Sequence, residues 1–375
     1  MKRKAISYAV IGAGNGGLAM AGYLGLKGYK VNLYNRSHDK LVDLIKDPII
    51  YLTGAYEGEG RLYRVTSDIK EAIEGVDVIM VTTPATAHKE LAVLMAPYLQ
   101  KGQIIILNPG RTCGAFEVLE ILKKNEADEG VIVAEAQTFI YACRALSSNR
   151  VKIFSVKNEV KLAAIPSEKT EKVIRTISDA FPQFKKAADV LETSLNNFGA
   201  IFHPAPTLLN SGHIERCQPF EYYLEGITPT IGKVLERLDE ERIRVAKALG
   251  VKTLSAIEWL FESYGATGDT LYEAIQNNTA YKGLTAPKGL NTRYIYEDVP
   301  YSLVPISSLG KELGVETPAI DTIIGLACMM TGVNFWEEGR TSEKLGLAGL
   351  TPAEIHLFAQ KGYILKKSLE EEVVA

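Results

Sequence analysis

The segment Ile6-Ser-Tyr-Ala-Val-Ile-Gly12-Ala-Gly14-Asn15-Gly16-Gly17-Leu18 constrains the fold more than any other. An apolar, β-rich run ends at Gly12, and a run with helical spacing, Leu18–Lys27, follows the glycines. Glycine clusters are common in turns, so the spacing G-x-G-x-x-G alone says little. Here a strand precedes it, a helix follows, and a second strand candidate, Val31–Tyr34, comes next, which is the setting the spacing requires. Each glycine then has a physical task. Gly12 permits a tight turn, Gly14 lets the backbone approach a pyrophosphate, and Gly17 lets helix and strand pack closely. The helix N-terminus attracts the anion. The expectation is a dinucleotide cradle built of Gly12, Gly14, Asn15, Gly16 and Gly17.

The first half repeats this rhythm. Strand candidates are Ile6–Ile11, Val31–Tyr34, Val76–Val81, Gln103–Leu107, Val131–Ala134 and Val151–Val156. Amphipathic stretches lie between them at Ser37–Lys46, Asp68–Glu74, Thr86–Leu99 and Gly114–Lys124, with Ser37 and Ser67 as expected N-caps. Continuous Val/Ile/Leu strands alternating with helices predict an α/β, doubly wound parallel sheet of Rossmann type. After about Lys186 helical spacing takes over, at Glu221–Leu249, Leu254–Ser263, Leu271–Asn277, Ile320–Thr331 and Pro352–Lys361. Thr351-Pro-Ala-Glu354 has the form of a helix start, with Thr as N-cap, Pro first and Glu three residues after the cap. The expected organisation is a dinucleotide-binding domain over 1–188 and a mainly α-helical substrate and catalytic domain over 189–375. The apolar faces along Glu221–Leu249 and Ile320–Thr331 suit internal packing or a homodimer.

The tip of the second strand selects the dinucleotide. NAD sites usually place a carboxylate there for the ribose diol. This chain reads Leu33-Tyr-Asn35-Arg36-Ser37, with no acid. An arginine flanked by amide and hydroxyl donors suits a 2′-phosphate, so NADP is expected, with NADPH preferred over NADH. Thr82-Thr83-Pro84 and Asn108-Pro-Gly110 close two later strands, where such sheets bind ligands, and Thr83 and Pro84 are expected beside the nicotinamide half.

Bulk properties narrow the partners. The chain has 375 residues, is 46% hydrophobic and 23% charged, and carries a formal net charge of −3. That balance gives no reason to expect nucleic acid or an anionic membrane, and no apolar run is long enough to span a bilayer. The start, Met1-Lys-Arg-Lys, imitates a signal peptide but has no convincing cleavage site. The four cysteines, Cys113, Cys143, Cys217 and Cys328, lack metal-ligand spacing. Reduced thiols, no metal and a cytoplasmic location are expected.

Asn197-Phe-Gly-Ala-Ile-Phe-His203-Pro-Ala-Pro-Thr-Leu-Leu-Asn210 places a histidine directly before a proline, in apolar company. The prolines disfavour a regular helix there. Most such histidines are hydrogen-bonded core residues. This one falls where the helical half would first face the cofactor, and a dehydrogenase must move a proton as the hydride moves. Leu290-Asn-Thr-Arg293-Tyr-Ile-Tyr-Glu297-Asp298-Val-Pro300 combines an arginine suited to clamping a carboxylate with two acids and aromatics. Gln137-Thr-Phe-Ile-Tyr-Ala-Cys-Arg144 suits a pocket wall or plain packing.

With these segments in view, the chain resembles the opine dehydrogenases of the octopine/nopaline dehydrogenase type. The resemblance runs nearly end to end, through the Gly12–Gly17 loop, Ile106-Leu-Asn-Pro-Gly110, His203–Asn210, Tyr222–Pro229, Asn291–Tyr294 with Glu297-Asp298, and Glu338–Thr341 with Lys344–Leu347. It implies reductive condensation of an L-amino acid with a 2-oxo acid such as pyruvate, by NAD(P)H, through an imine. It also implies roles: His203 as acid/base, Asp298 as its partner, and Arg293 as the carboxylate-binding residue. Some members carry an acid where this chain has Asn35, which again points to NADP. Two other readings stand beside it. One is a 2-oxo or 3-hydroxy acid reductase of ketopantoate reductase type, although no lysine lies between Ala187 and Leu209 where many of those use one. The other is a non-catalytic NADP-binding sensor.

Overall fold

The computed structural model describes residues 6–363, so Met1-Lys-Arg-Lys lies outside it. Twelve strands occur among the described residues. They are β1 (Ser7–Ile11), β2 (Lys30–Tyr34), β3 (Ile49–Gly54), β4 (Gly58–Arg61), β5 (Arg64–Thr66), β6 (Val78–Val81), β7 (Ile104–Leu107), β8 (Ile132–Ala136), β9 (Tyr141–Ala145), β10 (Arg150–Val156), β11 (Val160–Ile165) and β12 (Phe184–Lys186). Eight form one sheet in the order β12-β11-β8-β7-β6-β1-β2-β5. From β8 to β5 every pairing is parallel, and β11 turns antiparallel against β8, with Leu162 opposite Ala136. The central strands β6, β7 and β8 are buried along their whole length, as a sheet covered on both faces requires.

Val151–Val156 forms a strand but not in that sheet. β10 belongs to a second, four-stranded sheet in the order β4-β3-β10-β9. This small sheet covers the helix α1 (Asn15–Leu26), whose residues from Gly17 to Tyr23 and Leu24 are buried. Sandwiched between two sheets, α1 has no solvent face and is apolar all round. Other expectations shift locally. Ser37–Lys46 splits into a 3-10 turn, His38–Lys40, and a short helix, Val42–Lys46, and the Ser37 side chain makes no cap bond. The cap of the next helix is Asp68, not Ser67, accepting from the Lys70 and Glu71 amides. Aspartate there is simply the better placed acceptor.

After β12 the chain is helical. Asp189 caps Val190–Leu195. Pro229–Ala248 is the longest helix, and residues 221–228 before it are irregular up to the Thr228 cap. It buries Leu235, Leu238, Val245 and Ala246 in the same core as Ile320, Ile323 and Ile324 of Pro318–Thr331, so these apolar faces serve internal packing. Thr351 and Glu354 form the expected capping box on Pro352–Lys361. No helix among the described residues is long and apolar enough to cross a membrane, and the four cysteines are free thiols.

A buried polar knot joins the two halves. Glu135 on β8 accepts from the Thr193 hydroxyl at 2.6 Å, the Ser194 hydroxyl at 2.9 Å and the Ala115 amide at 2.8 Å. Burial raises its carboxyl above the ordinary range, against the pull of those donors.

Candidate active site

The glycine loop has the geometry of a dinucleotide cradle. Gly12 adopts φ +109°, and a Cβ on Gly17 would lie 1.6 Å from the Gly12 carbonyl oxygen, so strand and helix touch there. A Cβ on Gly14 would meet nothing within 4 Å. Gly14 is also the N-cap of α1, with no side-chain cap, so the first-turn amides face the space a pyrophosphate would fill. Thr83 Oγ1, in the loop that touches Gly12, is buried without a hydrogen-bond partner, a second sign of room for a ligand. The residues present therefore fit a dinucleotide. Asn15 works sideways: its Oδ1 accepts from the Ala145 amide at 2.9 Å, tying the loop to β9. A Cβ on Gly16 would meet the Phe139 ring at 2.8 Å. Thr82 Oγ1 donates to the Ile11 carbonyl at 2.9 Å and so pins the end of β1.

At the tip of β2, Asn35 Oδ1 accepts from the Ala13 amide at 3.1 Å, and its Nδ2 donates to the Ser37 carbonyl. Arg36 is 76% exposed and pairs with Glu90 at 2.8 Å.

His203 stands at a break between two short helices, Gly199–Phe202 and Pro204–Leu209. Its carbonyl accepts from the Tyr222 hydroxyl at 2.7 Å and the Thr207 hydroxyl at 2.7 Å. Its ring stacks on Tyr294, centroids 4.2 Å apart. Nδ1 lies 2.8 Å from Asp298 Oδ2, and Asp298 is fully buried. Sequence reasoning thus named two residues that the fold brings together. Arg293, exposed and with its guanidinium 5.7 Å from the Tyr294 ring, lies on the same rim.

Four further residues complete the site. Arg111 follows Asn108-Pro-Gly110 at the end of β7 in a left-handed conformation, φ 60°. Its Nη2 donates to Glu297 at 2.9 Å, and its Nη1 lies 3.2 Å from Asp298 Oδ1. Glu297 also accepts from the Ala85 amide at 2.9 Å, so it spans from the helical half to the loop after β6. Gly199 makes room for this cluster, since a Cβ there would lie 2.7 Å from Arg111 Nη1 and 3.0 Å from Asp298 Oδ1. The signal for Arg111 was its place after a strand-closing Asn-Pro-Gly. The signal for Glu297 was adjacency to Asp298, but its reach to Ala85 is tertiary. Arg340 holds the loop from behind, donating to the Gly110 carbonyl at 2.9 Å and the Thr112 carbonyl at 2.8 Å while pairing with Glu117.

The charges divide clearly. Burial alone would raise the Asp298 carboxyl, but the Arg111 guanidinium and the hydrogen bond from His203 outweigh it and hold it down at about 2. Burial pushes the His203 ring below its ordinary value, and Arg293 and Arg111 push the same way against Asp298. The pair is a buried carboxylate beside a neutral imidazole. Nδ1–H donates to Asp298, which leaves Nε2 as a proton acceptor.

A glycine-cradled parallel sheet with a His–Asp pair on the helical half defines a dinucleotide-dependent oxidoreductase. The comparisons agree. Residues 186–331 match the model of the NAD/NADP octopine/nopaline dehydrogenase alpha-helical domain, and residues 7–116 match the NAD binding domain of 6-phosphogluconate dehydrogenase. An opine dehydrogenase of Arthrobacter sp. (strain 1C) is 42% identical, the match covering 93% of this chain and 97% of the relative. The chain belongs to the opine dehydrogenase family. The structure of octopine dehydrogenase with NADH and L-arginine superposes with a TM-score of 0.78 at 23% identity, over 93% of this chain and 97% of the other. That of yersinopine dehydrogenase with NADP+ does so with a TM-score of 0.74 at 14% identity, over 92% and 97%.

Proposed function

We propose that the protein condenses the amine of an L-amino acid with a 2-oxo acid such as pyruvate and reduces the resulting imine with NADPH, giving an N-(carboxyalkyl) amino acid. The observation that carries this reading is the 2.8 Å contact between His203 Nδ1 and the buried Asp298 carboxylate, with Nε2 left for substrate. Octopine dehydrogenase has been solved with L-arginine and, separately, with pyruvate, which is the same pair of substrate classes. Residues 1–188 hold the cofactor and 189–375 supply His203, Asp298 and Arg293 to the substrates, with Gly12, Gly14, Asn15, Gly16 and Gly17 around the pyrophosphate and Thr83 and Pro84 beside the nicotinamide.

The amino acid arrives as an ammonium ion and must lose a proton to attack. Neutral His203 takes it on Nε2, and Asp298 stabilises the imidazolium formed. His203 then passes protons from nitrogen to the former carbonyl oxygen, which leaves as water. Of the three ammonium protons, two depart in that water and one stays on the imine nitrogen. Arg293 clamps a carboxylate and orients the carbonyl face. A bound reduced nicotinamide supplies the hydride. Holding two substrates and a cofactor in register removes much of the entropic barrier.

The cofactor preference rests on the tip of β2. No carboxylate stands there to take the ribose diol, and Arg36 can exchange its exposed partner Glu90 for a 2′-phosphate.

The test is NADPH oxidation by purified protein with pyruvate alone, then with pyruvate plus pooled L-amino acids. Oxidation only when amine is present is expected. Equal oxidation with pyruvate alone would instead make the protein a simple 2-oxo acid reductase, and silence in both would point to the NADP-binding sensor, a larger oxo acid or an unusual amine.

A further inference from the structure

Each of the two substrates proposed above carries a carboxylate, and Arg293 accounts for one. The cleft offers a second cation. Lys157 follows β10, and its half-buried side chain turns toward the loop that leaves the C-terminal end of β8. Nζ donates to the Thr138 hydroxyl at 2.7 Å, and the Lys157 amide donates to the Ile140 carbonyl at 3.0 Å. That loop adjoins the one bearing Arg111, since the Gly110 amide donates to the Ala136 carbonyl at 3.1 Å. It also carries Phe139, whose ring covers Gly16 of the cofactor cradle. Lys157 therefore lies on the sheet side of the cleft, at the ends of the strands where a nicotinamide and its substrate meet.

Two features make this lysine unusual. Among the described residues it has no carboxylate partner, whereas the neighbouring Arg111 has two. Burial pushes its ammonium down to about 8, and Arg111 is near enough to push the same way. A desolvated cation beside another cation, with a hydroxyl as its side-chain partner, is an environment that an incoming anion relieves.

We propose that Lys157 is a second substrate-carboxylate site, holding one of the two carboxylates of the condensing pair while Arg293 holds the other. The assignment rests on the opine-type reading. The amino-acid carboxylate falls to Lys157, because Arg293 shares the Tyr294 ring with His203 while Lys157 stands on the sheet side beside Thr138. The carbonyl that His203 serves is one bond from the 2-oxo acid carboxylate, and Arg293 is the cation that acts directly on the His203 ring together with Arg111.

The experiment uses the full chain loaded with NADP+. Iminodiacetate is titrated in, because it carries two carboxylates on one secondary amine as the condensed product does. Lys157→Met should weaken its binding tenfold or more, Arg293→Met likewise, and Lys157→Arg should recover most of the loss. In steady-state turnover Lys157→Met should raise KM for the amino acid by a similar factor, with NADPH affinity within twofold of the parent. The same rise in KM for pyruvate instead keeps Lys157 as a carboxylate site and exchanges its substrate with that of Arg293. Unchanged iminodiacetate affinity overturns the proposal. So does a matching loss of NADPH affinity, which would make Lys157 a cofactor-phosphate residue. Failure of the opine reading shows elsewhere, as wild-type NADPH oxidation that does not depend on amine.

Discussion

Arg111 Nη1 lies 3.2 Å from Asp298 Oδ1, while Nη2 of the same guanidinium donates to Glu297 at 2.9 Å. One arginine from the sheet thus neutralises two adjacent carboxylates from the helical half. It holds the Asp298 carboxyl down against burial, which pushes it up. Arg111→Met should leave two buried acids without a cation, a loss of about 3–5 kcal/mol in stability for a broken buried pair. Urea unfolding measures it. Arg111→Lys should recover part, and a Met variant as stable as the parent would mean that the two acids pair elsewhere.

His203→Ala should leave NADPH binding unchanged and lower turnover by about 100-fold or more, the usual contribution of a positioned acid/base. Cofactor fluorescence titration and steady-state rates separate the two effects. Unaltered turnover would remove His203 from the mechanism.

Asp298→Asn should lower kcat steeply and also move the acid limb of the pH profile. In the parent, kcat/KM should fall as pH drops and His203 takes up a proton, below its ordinary 6.5. Asp298 opposes that depression, so its removal should carry the limb to still lower pH. A limb that moves upward would show that the titrating group is not His203.

Arg36→Ala should raise KM for NADPH by about tenfold or more, the range for losing one charge-assisted contact, and leave KM for NADH nearly unchanged. Stability should hardly move, because the Arg36–Glu90 pair is exposed. Equal effects on both cofactors would place the 2′-phosphate elsewhere.

His88 links acid sensitivity to the fold. It is fully buried, Arg340 Nη2 lies 3.1 Å from its Nδ1, and burial with the Arg340 charge holds its pKa well below 6.5. The unfolded chain therefore binds a proton below about 6.5 that the folded chain refuses, so stability is full above that pH and falls as pH drops through it. His88→Gln should flatten the decline in Tm between pH 6.5 and 5, read by calorimetry. An equal slope in the variant would assign it to other groups.

Local pattern was enough for the sheet-and-glycine-loop half, the helical half, the capping box at Thr351, and the pairing of His203 with Asp298 through family resemblance. The first three follow from short-range periodicity, backbone sterics and motifs written in contiguous residues, whereas the His203–Asp298 pairing came only from the family resemblance. It was not enough for Val151–Val156, whose β character was legible but whose sheet was not, because an apolar run carries no record of which strand it will pair with. Nor did it reveal Arg111, Glu297 bridging to Ala85, or Lys157 facing the cleft. An arginine after a turn and a lysine after a strand look like ordinary solvated charges until the fold removes their water. Only the tertiary structure brings the end of β7, the end of β8 and the Arg293–Asp298 segment to one place. Desolvation and Coulomb interaction act through space, and that proximity gives these common residues their chemistry.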